Sequence, residues 1–136
     1  MPEQLPISLL QQDSDSRPYW EGLAQGELRI QRCTSCSRAV FYPRALCPHC
    51  HASTLSWIVT TGKGEIYSYT VVHQAYGPFA TDLPFVVAII ELEEGVRMMS
   101  RLVETPRERI QIGAAVQVSF QSVEENFTLP YFQLLE

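Results

Sequence analysis

Residues 33–50 read Cys33-Thr-Ser-Cys36-Ser-Arg-Ala-Val-Phe-Tyr-Pro-Arg-Ala-Leu-Cys47-Pro-His-Cys50, and they hold the only four cysteines of a 136-residue chain. Each Cys-x2-Cys turn presents two thiolates to one ion, and the ten-residue spacer lets the second turn fold back over the first. The spacing is that of a Zn²⁺ site. Four thiolates complete a tetrahedron, so no coordination place is left for water, and the ion is expected to be structural, with a loose segment in its absence. Iron held by the same four sulfurs is the chemical alternative. Two disulfides are the competing use of the cysteines. They are disfavoured because nothing at the N-terminus resembles a secretion signal, and a reducing cytoplasm, the expected compartment, keeps thiols free. His49 and His51 flank Cys50 and are read as surface residues, since four sulfurs already satisfy the metal.

Around this segment the chain divides into three expected parts: a lead-in and helix at 1–28, a zinc ribbon at 29–52 and a β-barrel at 53–136. Asp13-Ser14-Asp15-Ser16 precedes Pro18, Tyr19, Trp20 and Leu23, with Gly26 at the stop position, which predicts a short helix. Tyr19 and Trp20 either pack on the ribbon or offer an aromatic face to a partner subunit. Leu28–Gln31 alternates into the first knuckle, and Val40–Tyr42 leads toward the second.

Beyond the ribbon, β-rich runs at Leu55–Thr60 and Glu65–Gln74 flank Gly62-Lys63-Gly64, where glycines suggest a bend or bulge. Phe85–Leu92 and Val96–Val103 read as a hairpin about Glu93-Glu94-Gly95. Ala114–Val123 and Leu129–Leu135 complete the set. About five strands and no long helix after residue 52 predict a mainly β protein with a small closed barrel. The longest apolar run, Phe85–Ile90, is far short of the roughly 20 residues needed to cross a bilayer.

The net charge of −5 is uneven. Residues 29–51 carry Arg29, Arg32, Arg38 and Arg44 and no acid, whereas from residue 52 onward ten acids face five bases. A zinc ribbon joined to a barrel suggests nucleic acid as a rival ligand, but a barrel with twice as many acids as bases repels a polyanion.

The ordered string Gln31-Arg32-Cys33, Cys36, Pro43-Arg44, Cys47-Pro48-x-Cys50, Trp57, Gly62-Lys63-Gly64, Tyr67-Ser68-Tyr69-Thr70, Gly95-Val96-Arg97 and Pro130-x-Phe132 resembles the zinc-ribbon plus OB-fold family catalogued as a domain of unknown function. The resemblance runs from about residue 19 to the end. It implies an N-terminal helical segment, a rubredoxin-like ribbon and a five-stranded OB barrel. It also implies a non-catalytic small subunit that binds or passes on acyl-CoA for a thiolase-like, hydratase or aldolase partner, in lipid, sterol or polyketide-type metabolism.

The residues fit such a role without a catalytic set: the cysteines are committed to metal, and His73 is the one histidine outside the ribbon, either an edge-strand residue or one facing a ligand. Glu91, Glu93 and Glu94 read as solvated charges beside a turn. For acyl-CoA, Arg38, Arg44 and Lys63 are the candidates for the phosphates, and Tyr67, Tyr69, Tyr76 and Phe79 for the route of the pantetheine arm. A scaffold that only stabilises its partner is the remaining alternative.

Overall fold

Alternation before the first knuckle becomes the central strand of a small sheet. In the computed structural model, which describes residues 15–74, 83–124 and 127–135, β1 (Arg29–Cys33) lies between β2 (Ala39–Val40) and β3 (Leu55–Val59), both antiparallel to it. Gln31 stands opposite Val40 on one side and Trp57 on the other. The expectation grouped Leu55–Thr60 with the barrel; the structure pairs it with β1 instead. A strand's own pattern says that it is a strand and not which partner it takes, and here the partner lies more than twenty residues upstream.

The five remaining strands are β4 (Lys63–Val72), β5 (Phe85–Leu92), β6 (Arg97–Leu102), β7 (Ala115–Glu124) and β8 (Phe127–Leu134), and they close in the order β4-β5-β6-β8-β7. All contacts are antiparallel except β6 with β8, which meet in parallel at Leu102 and Phe132. This is the five-stranded barrel that the β patterns predict, and its order is that of an OB fold. Strand β5 shows the cause: Val86, Ala88, Ile90 and Leu92 are buried and alternate with side chains on the outer face.

Closure of the barrel falls on Gly64. This residue pairs with Leu92 in one neighbour and Val116 in the other, and a Cβ at that position would run into the Glu91 carbonyl. The Gly-Lys-Gly motif therefore marks the place where β4 takes a strand on each side. A register shift lies further along β4, between Ile66 and Ser68, rather than at the glycines, where the sequence suggests a bend or bulge.

Helix α1 (Arg17–Ala24) opens with Pro18 in its first turn and ends where Gly26 adopts a left-handed φ of 79°. Tyr19 and Leu23 join Leu28 and Ile30 of the ribbon and Ile66, Ile90, Val116 and Phe132 of the barrel in a single apolar core. Arg29 fastens helix to strand: its guanidinium forks onto the Glu27 carboxylate at 2.7 and 3.1 Å and reaches the Pro18 carbonyl at 3.3 Å. A second, smaller cluster of Cys33, Val40 and Cys47 lies at the far end of the ribbon. Among the described residues no helix is long and apolar enough to cross a membrane.

Candidate metal centre and the ribbon cleft

The two knuckles are copies of one turn. Ser37 N–H donates to the Cys33 carbonyl at 2.8 Å, and His51 N–H donates to the Cys47 carbonyl at 2.9 Å; both Ser37 and His51 take left-handed φ values, 65° and 66°. Each stands immediately after the second cysteine of its knuckle, where the chain must reverse. His51 is thus a turn residue, and His49, whose Nδ1 lies 3.3 Å from Arg38 Nη1, is exposed beside the site.

The turns bring all four sulfurs within 4.8 Å of one another, with Cys33 and Cys50 3.5 Å apart and Cys36 and Cys47 3.7 Å apart. Sulfurs bound to one Zn²⁺ at about 2.3 Å sit about 3.8 Å from each other, so the set is already at the spacing the ion requires. None of the four is in a disulfide. Backbone N–H groups of Cys36 and Ser35 point at the Cys33 sulfur and hold its thiol down to about 6, against the opposing effect of burial. The His49 N–H donates to Cys47 Sγ at 3.4 Å. Donors arranged around sulfur in this way favour thiolate, the form that binds metal. Cys33, Cys36, Cys47 and Cys50 therefore fit zinc, and four thiolates give the ion a structural task with no open position.

Between the knuckles the loop is fixed by a residue whose role the sequence pattern conceals. Gln31 is 5 % exposed; its amide nitrogen donates to the Arg44 carbonyl at 2.9 Å, and its amide oxygen accepts from Arg44 N–H at 2.8 Å. This double clamp holds Arg44 against the wall of a cleft of about 440 Å³ between ribbon and barrel. Its lining includes Phe41, Arg44 and His49 from the ribbon and Glu91, Val96 and Arg97 from the barrel. The Arg97 guanidinium carbon lies 3.8 Å from the centre of the Tyr67 ring, and its Nε donates to Glu91 at 3.0 Å.

The expected ligand residues divide between faces. Arg44 lines the cleft and Arg38 reaches it through His49, whereas Lys63 lies outside its lining, exposed at the start of β4. Tyr67 and Tyr69 are 47 % and 41 % exposed, and Tyr67 joins the cleft through Arg97. His73 is exposed at the end of β4. Tyr76 and Phe79 lie outside the described residues. Tyr19 is only 6 % exposed, its ring 5.7 Å from Phe41, and is spent inside the chain, whereas Trp20, its ring 5.1 Å from Phe127, is half-buried and keeps part of its surface open. Glu93 and Glu94 bind Thr61 at 2.9 and 3.1 Å, and Glu91 holds Arg97; none of the three is merely a solvated charge. Arg97 was not among the sequence candidates, and only its place beside Gly95-Val96 at a hairpin turn marked it.

Comparison with known proteins accords with this architecture. Residues 20–56 match the ChsH2 rubredoxin-like zinc ribbon domain, and residues 57–121 match the ChsH2 C-terminal OB-fold domain. A probable enoyl-CoA hydratase alpha subunit of Thermomonospora curvata is 35 % identical over 88 % of this chain, which spans only 37 % of that relative's length. A DUF35 domain-containing scaffold protein of Methanocaldococcus jannaschii is 40 % identical over 70 % of this chain and 68 % of its own. Among solved structures, a chain of an Ltp2-ChsH2(DUF35) aldolase superposes with a TM-score of 0.81 at 34 % identity, covering 90 % of this chain and 95 % of that one. With both halves matched, and the knuckles, the clamp and the barrel closure in place, the chain belongs to the ChsH2-type zinc-ribbon and OB-fold family.

Proposed function

We propose that this chain is a non-catalytic subunit that binds or passes on acyl-CoA for a partner enzyme of the thiolase, hydratase or aldolase kind. The observation that carries the reading is the likeness, along nearly the whole of both chains, to the solved chain named as part of an Ltp2-ChsH2(DUF35) aldolase. The hydratase alpha subunit and scaffold names of the other relatives point the same way.

The residues support a binding role. The four sulfurs serve a closed metal site, and His49 and His51 belong to the knuckles that build it. What remains toward solvent is a cleft between ribbon and barrel that carries Arg44 from one and Arg97, stacked near Tyr67, from the other, suited to holding an anionic ligand with an aromatic part. In the proposed complex the ribbon and α1 lie against the partner, and the barrel covers the entrance to its acyl-CoA site, which excludes water and retains intermediates.

The test is turnover of acyl-CoA by the partner enzyme purified with and without this chain. Loss of at least tenfold in kcat/KM on omission, with no turnover by this chain alone, is the expected result. Equal turnover and equal acyl-CoA affinity in both preparations would sink the proposal.

A further inference from the structure

We infer that the cleft between ribbon and barrel is a binding site for a phosphorylated nucleotide head, with Arg44 and Arg97 as its phosphate ligands. The inference rests on the acyl-CoA reading for the identity of the molecule, but its location follows from the geometry alone.

Three features set this cleft apart from two other hollows among the described residues. Its volume, about 440 Å³, falls within the roughly 300–1,000 Å³ of small-molecule sites and suits the head of coenzyme A rather than a whole acyl-CoA. The hollow at Gly64, Glu65, Glu91 and Glu93 has three carboxylates and no cation in its lining and repels phosphate, whereas the favoured cleft has Glu91 alone, paired with Arg97. The one at Phe85, Val87, Met99 and Leu129 is smaller, about 250 Å³, and almost wholly apolar.

The second feature is the source of its cations. Arg44 comes from the ribbon and Arg97 from the barrel, so two planar forks from different modules flank one space, the arrangement that bidentate phosphate recognition uses. Neither depends on a loose loop. The backbone of Arg44 is clamped on both sides by the buried amide of Gln31, and Arg97 is held between the Tyr67 ring and the Glu91 carboxylate. A fixed backbone under Arg44 and a side chain already held at Arg97 leave less entropy to be lost on meeting a ligand.

The third feature is an apolar floor beside the charges. Phe41 and Val96 line the same cleft, and an adenine ring requires such a surface next to its phosphates. Arg38, bonded to His49 at the rim, adds a third cation. Lys63, outside this lining, has no part in the site.

Titration of the metal-loaded full-length chain with coenzyme A and with adenosine 3′,5′-bisphosphate tests this. Arg44→Ala and Arg97→Ala should each weaken both probes about tenfold or more, while Arg107→Ala, on the turn between β6 and β7, leaves them unchanged; zinc content and far-UV circular dichroism confirm that each variant is folded. If coenzyme A binds the wild type and both variants alike, the cleft is not the site, and the acyl-CoA role stands without it. If the wild-type chain binds neither probe, the cleft site falls, and the acyl-CoA role is judged by the turnover comparison above.

Discussion

The knuckle end of the ribbon and the barrel are built by opposite means. Around the cysteines the chain buries little beyond Cys33, Val40 and Cys47, which is too small a core to order so long a loop. The barrel, with α1 and the start of β1, buries Ile66, Ile90, Leu92, Val116, Phe127 and Phe132 almost completely. One part is thus held by coordination and the other by apolar burial, and the cleft lies where the two meet.

The largest expected effect is that of removing the metal. Structural Zn²⁺ contributes roughly 10–16 kcal/mol of apparent binding energy in small domains. Chelation or Cys33→Ser should collapse amide dispersion over residues 34–54 in NMR spectra while β4–β8 keep their hydrogen-exchange protection. Simultaneous unfolding of the barrel would show that the two parts are one cooperative unit and end the distinction.

Next comes Phe127→Ala. Its ring is fully buried and packs at a tilt against Trp20, so truncation should cost about 3–5 kcal/mol in a urea titration. The metal should remain bound through the early part of that transition. Loss of zinc before the barrel unfolds would mean that α1, not coordination, orders the knuckles.

A smaller effect is expected for Gln31→Leu, which leaves the backbone N–H and C=O of Arg44 without the partners they have in the clamp. The cost should be about 1–3 kcal/mol. Exchange of the Arg44 amide should speed up with little change in the barrel. An unchanged rate would show that the loop is held by something other than the clamp.

The smallest is Arg97→Ala. Its ion pair with Glu91 is largely open to solvent, and such pairs contribute about 0–1 kcal/mol. Thermal unfolding should scarcely move. A large loss of stability would make Arg97 part of the frame that joins the parts rather than a ligand group.

How far the sequence disclosed this molecule follows from the range of each interaction. The metal site was readable because its ligands are paired within two local turns, and the barrel strands because β-rich runs are set off by turn residues, with burial alternating most plainly along β5. The clamp was not, because Gln31 and Arg44 are thirteen residues apart and nothing in a single glutamine signals two hydrogen bonds to a backbone. The place of Leu55–Val59 in the ribbon sheet and the burial of Tyr19 against Phe41 likewise depend on partners far along the chain. The cleft is the extreme case, since Arg44 and Arg97 become neighbours only after ribbon and barrel have both formed.

The most direct measurement is to recover the tagged protein from its native cells at moderate salt, identify what co-elutes by mass spectrometry, and assay the metal. A thiolase-like, hydratase or aldolase subunit in defined stoichiometry, with one zinc per chain, is the predicted outcome. Recovery of nucleic acid and its processing enzymes instead, lost as salt is raised, would contradict the acyl-CoA role and show that the barrel binds polyanions despite its acidic composition.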